Sequence, residues 1–229
     1  MKKFSQQSNL VHGFSTRKFG DCRQKPEKFL TALGLKKENL VLMEQVHGSK
    51  VRKVGSKSKG QILPGIDGMV TESFGIILGV KTADCLPLLF YDPLRRIIGV
   101  AHAGWQGIIK KIPQKVVDLM IRMGSLPQEI IVGIGPHIGG CCYLVDPDRV
   151  KRFEKEFGKL EGMIQEDKKG LHLDLVPPVI LQLVHSGLSR GNIDFSPVCT
   201  VCQNQEFFSY RRDSKKTYGG MLGVISFVI

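Results

Sequence analysis

The chain has 229 residues, of which 42% are hydrophobic and 24% are charged, and its formal net charge is +12. This composition is typical of globular proteins and excludes collagen-like, coiled-coil and wholly disordered classes. The longest apolar runs are far shorter than the roughly 20 residues of a membrane span, and no apolar signal-peptide core follows the basic first residues. We therefore expect one cytoplasmic domain over residues 1–229, with no membrane contact.

The positive charge is concentrated near the N-terminus. Residues 1–60 carry 14 basic and 4 acidic side chains, and such a surface attracts phosphate or nucleic acid. The basic stretch 50–59 has no aromatic side chain on which a base could stack, and no zinc-finger, RRM or KH motif is present. Nucleic acid is therefore not the expected partner, although a basic RNA-binding protein stays as an alternative.

Short apolar runs between turn residues predict buried strands at 76–80, 86–91, 97–101 and 130–134. Apolar residues at helical spacing predict a helix over 112–123. Further helices are predicted from Pro147 to Phe157 and from about Pro177 to His185. The runs 207–210 and 222–228 predict closing strands. This mixture indicates an α/β or α+β fold and leaves the strand order open.

Six cysteines in a chain of this length are too few for the disulfide framework of a small secreted domain, so reduced thiols or thiolate ligands are expected. Three segments place a potential metal ligand beside a predicted strand: His47, Cys85 and His102. Their separation in sequence means that tertiary structure must assemble the site. Two imidazoles and a thiolate leave the fourth tetrahedral position of zinc open, as in catalytic centres. The alternative is that Cys85 is a small buried apolar residue and the histidines are structural.

These segments resemble the YfiH family, also called the laccase-domain or multicopper polyphenol oxidoreductase family, and its purine nucleoside phosphorylase members. The shared segments are His-Gly-Phe-Ser-Thr-Arg (12–17), Gln-Val-His (45–47), Gly-Ile-Asp-Gly-Met-Val-Thr (65–71), Thr-Ala-Asp-Cys-Leu-Pro (82–87), Ala-His-Ala-Gly-Trp (101–105), Gly-Ile-Gly-Pro (133–136) and Phe-Ser-Tyr-Arg-Arg-Asp (208–213). They run in order over nearly the whole chain.

The resemblance implies a layered α/β/β/α domain with mixed sheets, similar to the catalytic domain of cytotoxic necrotising factor. It implies a zinc ion held by His47, Cys85 and His102. It also implies phosphorolysis of adenosine, inosine, guanosine and methylthioadenosine, with deamination of adenosine at the same site, so that purine nucleosides and phosphate are the expected partners of a monomer or homodimer. Zinc is expected in preference to copper, because a laccase needs several coppers and many histidines and this chain has six histidines.

The remaining site predictions concern individual residues. Cys85, His102 and Asp84 are the predicted catalytic residues, Asp84 as a base or as an orienting group for a metal ligand; a turn-forming or ion-paired Asp84 is the alternative. The predicted substrate- or phosphate-binding residues are Gln45, Arg17, Arg211 and Arg212. A second enzyme hypothesis uses Cys85 as a nucleophile and His102 as its base, acting on a peptidoglycan precursor.

Two features of the sequence argue, respectively, for weaker phosphate binding and against a second metal site. The family commonly has arginine where this chain has Gln106 and Gly220, so two cationic contacts to phosphate are expected to be missing. Cys199 and Cys202 form a CxxC motif, but Cys141 and Cys142 are adjacent and supply no second one. A four-cysteine metal site is therefore not expected.

Overall fold

The computed structural model describes residues 4, 6–213 and 219–228. Its strands are β1 (Leu10–Phe14), β2 (Leu40–Met43), β3 (Val51–Lys53), β4 (Ile62–Leu63), β5 (Gly68–Thr71), β6 (Ile77–Thr82), β7 (Leu86–Asp92), β8 (Ile97–Ala103), β9 (Ile131–Ile134), β10 (Ile164–Asp167), β11 (Gly170–Leu173), β12 (Ile193–Phe195) and β13 (Met221–Phe227). Its α-helices are α1 (Glu27–Ala32), α2 (Trp105–Ile109), α3 (Ile112–Arg122), α4 (Pro147–Phe157) and α5 (Val176–His185).

Two mixed sheets form the centre of the fold. The five-stranded sheet has the order β1-β13-β6-β2-β4, and the six-stranded sheet has the order β12-β9-β7-β8-β5-β3. Each contains parallel and antiparallel pairs; β2 is parallel to β6, for example, whereas β13 is antiparallel to it. Strands β10 and β11 form a separate hairpin. The chain therefore has the mixed α/β fold that the sequence predicted.

Three apolar clusters show how the sheets and helices are layered. One cluster joins the facing sides of the two sheets, with Leu78 and Ile225 from one sheet and Val100 from the other. The second packs the outer face of the six-stranded sheet against α3, α4 and α5, and the third packs the outer face of the five-stranded sheet against α1. The order of layers is therefore helix, sheet, sheet, helix. The similarity to cytotoxic necrotising factor stays a prediction.

Most predicted elements agree with the structure within one or two residues. The strands at 86–91 and 97–101 are β7 and β8, and the predicted helices are α3, α4 and α5. Asp146 caps α4 by accepting a hydrogen bond from the Arg149 N–H, as the sequence Asp-Pro suggests. The strand predicted at 207–210 is wrong, because these residues form a loop that is hydrogen-bonded to Asp84 and Asp213.

The chain passes repeatedly from one sheet to the other, and these passages place the candidate site. The connections β2–β3, β4–β5, β6–β7 and β12–β13 all join the two sheets. They carry His47, Asp67, Asp84 with Cys85, and Arg211 respectively. Residues that are far apart in sequence therefore meet at one edge of the sheet pair. No helix within the described ranges has both the length and the apolar character that a bilayer crossing needs.

Candidate metal centre and its cavity

The structure brings together the three residues that the sequence analysis nominated as ligands. The ligand atoms of His47, Cys85 and His102 all lie within 4.8 Å of one another, and the two imidazole rings are 4.8 Å apart between centroids. His102 is buried in β8, Cys85 is half-buried and His47 is exposed. The cluster is thus closed on the β8 side and open on the other, as a centre with a vacant coordination position must be.

Asp67 organises this cluster, and the sequence analysis did not nominate it. Its fully buried carboxylate accepts a hydrogen bond from Nδ1 of His102 at 2.8 Å. It also accepts backbone N–H bonds from Val46, His47 and Gly48 at 2.7–3.2 Å. One carboxylate therefore fixes the tautomer of His102, leaving Nε2 as its ligand atom, and shapes the loop that carries His47. This carboxylate–histidine arrangement is typical of metal-binding histidines.

The backbone is strained at two positions of the site. His47 has φ +55° and Asp84 has φ +93°, and they are two of the four non-glycine residues with positive φ in the described ranges. Such conformations cost about 1–3 kcal/mol each and persist where the surroundings hold them in place. Asp67 holds the first through its three backbone contacts. The second position, Asp84, directly precedes Cys85, so both strained residues lie at or next to a proposed metal ligand.

The backbone of Gly104 packs against His47 and Cys85. A Cβ atom at this position would lie 2.9 Å from Nδ1 of His47 and 3.1 Å from Sγ of Cys85, and real Cβ atoms make such contacts only if the neighbours move. Its φ of −78° suits any residue, so the reason for glycine here is space. Both side chains lie against this backbone, which ends β8 and begins α2.

The charges of Cys85 and His102 stabilise each other. Burial opposes ionisation of Cys85, but the charge and hydrogen bonds of His102, and then those of His47, lower the thiol pKa to about 6. Burial likewise opposes protonation of His102, but Cys85 and then Asp67 raise the imidazole pKa to about 9. The cluster thus favours a thiolate near neutral pH, and a thiolate is the form of cysteine that binds metals. The donor set, its spacing and the Asp67 contact all fit a divalent ion such as zinc.

The carboxylate of Asp84 faces the loop between β12 and β13. It accepts hydrogen bonds from the hydroxyls of Thr200 at 2.6 Å and Ser209 at 3.1 Å, and from the backbone N–H of Arg211 at 2.7 Å. Thr200 and Ser209 are fully buried. With three donors already in place, the geometry favours a positioning role in which Asp84 fixes the loop that carries Arg211. A catalytic role for Asp84 stays a prediction.

A cavity of about 760 Å³ opens beside the cluster, within the range of small-molecule sites. His47, Cys85 and His102 all line it. Among the described residues, the lining also includes four basic side chains, the acidic Glu44 and Asp84, and three large aromatic side chains. These further lining residues are Arg23, Lys81, Arg149 and Arg211 among the cations and Trp105, Tyr143 and Tyr210 among the aromatics.

The predicted substrate-binding residues have different positions. Arg211 lies in the cavity lining, 5.1 Å from the Tyr143 ring centroid. Gln45 also lines the cavity, but its amide is paired with the backbone N–H and C=O of Lys81. Phosphate binding by either residue stays a prediction.

Arg17 and Arg212 are not among the cavity-lining residues in the described ranges. Arg17 donates to Asp213 and to the Phe207 carbonyl. Arg212 donates to Asp213 and to three backbone carbonyls of its own loop. Both guanidinium groups are thus engaged in the internal structure of this loop, and the geometry does not favour the predicted role in phosphate binding.

Arg23 is a lining cation that the sequence analysis missed. Its side chain runs directly over Gly220, where an added Cβ atom would collide with Cγ and Cδ of Arg23. The absence of a side chain at Gly220, which the sequence analysis counted as a lost cation, therefore makes room for a different arginine beside the cavity. Its partners include Asp21, at 3.3 Å. Gln106 also lies in the lining, where the family commonly has arginine.

Four of the remaining cysteines converge in the structure, which their spacing in the sequence did not predict. The sulfurs of Cys141, Cys142, Cys199 and Cys202 all lie within 4.8 Å of one another. Adjacent cysteines gave no second CxxC motif, but the loop after β9 folds beside the loop after β12 and aligns His137 with Cys199 in a parallel bridge. Within the part of the chain that the structure describes, two clusters therefore have the ligand atoms to hold a metal ion.

A layered α/β/β/α fold with a histidine–cysteine–histidine cluster beside a cationic cavity defines a class of candidate metalloenzymes. Residues 15–228 match the family model described as multi-copper polyphenol oxidoreductase laccase. The chain belongs to this family, as the resemblance predicted.

Relatives of the chain carry names that describe purine chemistry. It is 38% identical over 199 residues to the purine nucleoside phosphorylase YlmD of Geobacillus stearothermophilus, covering 82% of this chain and 72% of the relative. It is 32% identical over 201 residues to the adenosine deaminase RL5 of an unknown prokaryotic organism, covering 82% and 77%. Among solved structures, the YfiH protein of Bacillus licheniformis has a TM-score of 0.89 and 30% identity, covering 99% of this chain and 95% of that one.

Proposed function

We propose that this protein is a zinc-dependent purine nucleoside phosphorylase that also deaminates adenosine. The proposed nucleosides are adenosine, inosine, guanosine and methylthioadenosine. The observation that carries the proposal is the cluster of two imidazoles and one thiolate in the lining of a cavity with four cations and three aromatic rings. Relatives named for each of the two reactions support it.

The proposed metal ligands are His47, Cys85 and His102. A divalent metal bound there supplies Lewis acidity at an open coordination position, which suits reactions with a phosphate or water nucleophile. The protein itself contributes the orientation of the ligands. Asp67 holds His102 in one tautomer and at one angle, and the 2.8 Å contact is buried, so that solvent does not compete for it.

Two arginines form the proposed binding site for phosphate. Arg149 and Arg211 lie 6.0 and 5.1 Å from the centroid of the same Tyr143 ring, so both guanidinium groups serve one region of the cavity. Nη1 of Arg149 donates to the Tyr143 hydroxyl at 3.4 Å and Nη2 pairs with Asp146 at 3.3 Å, which hold this guanidinium at the edge of the cavity. Planar guanidinium groups bind phosphate oxygens in pairs. Lys81 and Arg23 add positive charge to the lining.

The aromatic side chains form the proposed binding site for the purine. Trp105 begins α2, directly after the glycine that packs against the metal cluster, and Arg149 stacks on its indole ring at 4.6 Å. Tyr143 and Tyr210 lie in the same lining. Aromatic rings of this kind offer a flat surface on which a purine base can stack, and they lose little side-chain entropy on binding. A purine bound to these rings would lie near both the cations and the metal cluster.

The test is product analysis with adenosine, with and without phosphate, on protein of measured metal content. Adenine should appear only with phosphate, and inosine should appear without it. Arg211→Ala should raise the KM for phosphate about tenfold or more, because one charge-assisted contact is worth about 1.5–3 kcal/mol. The matched control is Arg95→Ala, since Arg95 is exposed and outside the lining. Absence of any purine product from metal-loaded protein would refute the proposal.

A second candidate function rests on a chain of contacts in which Asp67 hydrogen-bonds to His102 and His102 hydrogen-bonds to Cys85. A nucleophile beside a base, with the base oriented by a carboxylate, is the arrangement of cysteine hydrolases. The substrate proposed for this alternative is a peptidoglycan precursor. It predicts that alkylation of Cys85 abolishes activity whereas chelators do not. The phosphorylase hypothesis predicts that a chelator abolishes activity and that added zinc restores it.

A further inference from the structure

A second sulfur cluster lies apart from the cavity. Sγ of Cys202 is 3.4 Å from Sγ of Cys142 and 3.8 Å from Sγ of Cys141, and the sulfurs of Cys141 and Cys142 are 3.8 Å apart. Cys199 completes the group, with all four sulfurs within 4.8 Å of one another. None of the four is among the residues that line the cavity in the described ranges.

These distances match the edges of a tetrahedron around one metal ion. Sulfurs at about 2.3 Å from a central zinc lie about 3.8 Å from one another. A disulfide needs about 2.05 Å between sulfurs, whereas the sulfurs of Cys142 and Cys202 are 3.4 Å apart. Four thiolates in tetrahedral arrangement select zinc or iron. The spacing therefore suits a single metal ion with four thiolate ligands.

The backbone around the cluster supports thiolate ligands. The N–H of Gly139 donates to Sγ of Cys199 at 3.3 Å, and hydrogen bonds of this kind stabilise a metal-bound sulfur. Gly139 also lies close to the cluster: a Cβ atom there would be 3.4 Å from Sγ of Cys141 and from Cβ of Cys199. Cys199 is buried, while Cys141 and Cys202 are exposed and give an ion access from solvent.

We propose that Cys141, Cys142, Cys199 and Cys202 form a structural zinc site that fastens the loop after β9 to the loop after β12. All four ligand positions are filled by protein, as in structural sites. Thr200, whose hydroxyl donates to Asp84 beside Cys85, directly follows Cys199, and Tyr143 of the cavity lining directly follows Cys142. The metal thus stabilises the loop that positions Arg211.

The first test is metal analysis of the full chain, purified under reducing conditions and reloaded with zinc. The wild type should hold one more zinc than Cys141→Ser/Cys202→Ser, whereas Cys22→Ala, which removes a cysteine outside both clusters, should match the wild type. In the His47→Ala/His102→Ala variant the cysteine-held zinc should remain. That variant reports on the other centre, so failure of the proposed function is distinguishable. Equal zinc content in the wild type and the double-serine variant overturns the inference.

The second test needs no variant and is independent of whether the serine variant folds. Cys141 and Cys202 are exposed, so free thiols there should be alkylated rapidly. Zinc should slow their alkylation at least tenfold in the native protein, and a chelator should remove this protection, as read by peptide mass spectrometry. Equal rates with and without zinc overturn the proposal, as does a Cys142–Cys202 disulfide in freshly reduced and zinc-loaded protein.

Discussion

Replacing Gly104 with alanine tests whether His47 and Cys85 meet at a metal ion. The new Cβ atom would lie 2.9 Å from Nδ1 of His47 and 3.1 Å from Sγ of Cys85. The backbone at Gly104 has φ −78° and accepts alanine without strain. The substitution therefore acts only by steric crowding, and it crowds two proposed ligands at once.

The expected loss of metal affinity depends on whether the crowded side chains can move away from the new Cβ atom. His47 is exposed, so in the metal-free protein its imidazole can turn towards solvent and relieve the contact. A bound metal holds the imidazole in place, and the strain then stays. Overpacking of this kind costs about 1–3 kcal/mol. Metal affinity should therefore fall about 5- to 150-fold, whereas the stability of the metal-free protein should change by less than about 1 kcal/mol.

The assay is competition for zinc between the protein and a coloured chelator. Gly55→Ala is the matched control, because an added Cβ atom there meets nothing within 4 Å and φ is −136°. Its zinc affinity should equal that of the wild type. Equal affinity in Gly104→Ala would show that the two side chains do not meet at a metal beside this glycine, and the proposed centre would be refuted.

Three further outcomes are expected. Asp67→Asn should lower zinc affinity about 10- to 100-fold in the same competition assay, because His102 loses the carboxylate that orients it; unchanged affinity would contradict that role. Asp84→Ala should lower the free energy of unfolding by about 3–5 kcal/mol in urea titrations, since it leaves two buried hydroxyls and the Arg211 N–H without their acceptor; a loss below about 1 kcal/mol would contradict the role of Asp84 in fixing the loop that carries Arg211. In metal-free protein, alkylation of Cys85 should accelerate as pH rises through about 6, where its thiol ionises, whereas Cys22, whose pKa burial raises, should react only in more alkaline solution; equal profiles for the two thiols would contradict the pairing of Cys85 with His102.

Local sequence pattern predicted the elements that have a single period and clear ends. Strands β7 and β8 are short apolar runs separated by an Asp-Pro turn, and α4 begins at a capping aspartate and ends at Gly158. The aromatic run at 207–210 also has high β propensity, but hydrogen bonds from Ser209 to Asp84 and Asp213 hold it in a loop. Tertiary contacts override propensity there.

The candidate site was predictable where a residue type carries its own chemistry. Histidine and cysteine in ordered motifs nominated His47, Cys85 and His102. Asp67 was missed, although its place between turn residues at the start of a strand was a usable signal. The role of Arg23 depends on the space over Gly220, and such space is invisible in sequence.

The four-cysteine cluster shows a further limit of sequence reasoning. Motif rules count spacing along the chain, but the loops at 135–143 and 196–213 follow β9 and β12, which lie parallel and side by side, and so leave the sheet at the same edge. This register places Cys199 opposite His137. The convergence of the four sulfurs is therefore a property of strand pairing, and no local pattern in the sequence contains it.

Strand β13 has a consequence for the order of assembly during synthesis. It lies between β1 and β6 in the five-stranded sheet, although more than two hundred residues separate it from the first of these. While residues 221–227 are still within the ribosome, both neighbours present unpaired edges, which invite association with other chains. The nascent polypeptide thus depends on β13 to close the five-stranded sheet, and the candidate site can mature only after residues 221–227 have been synthesised.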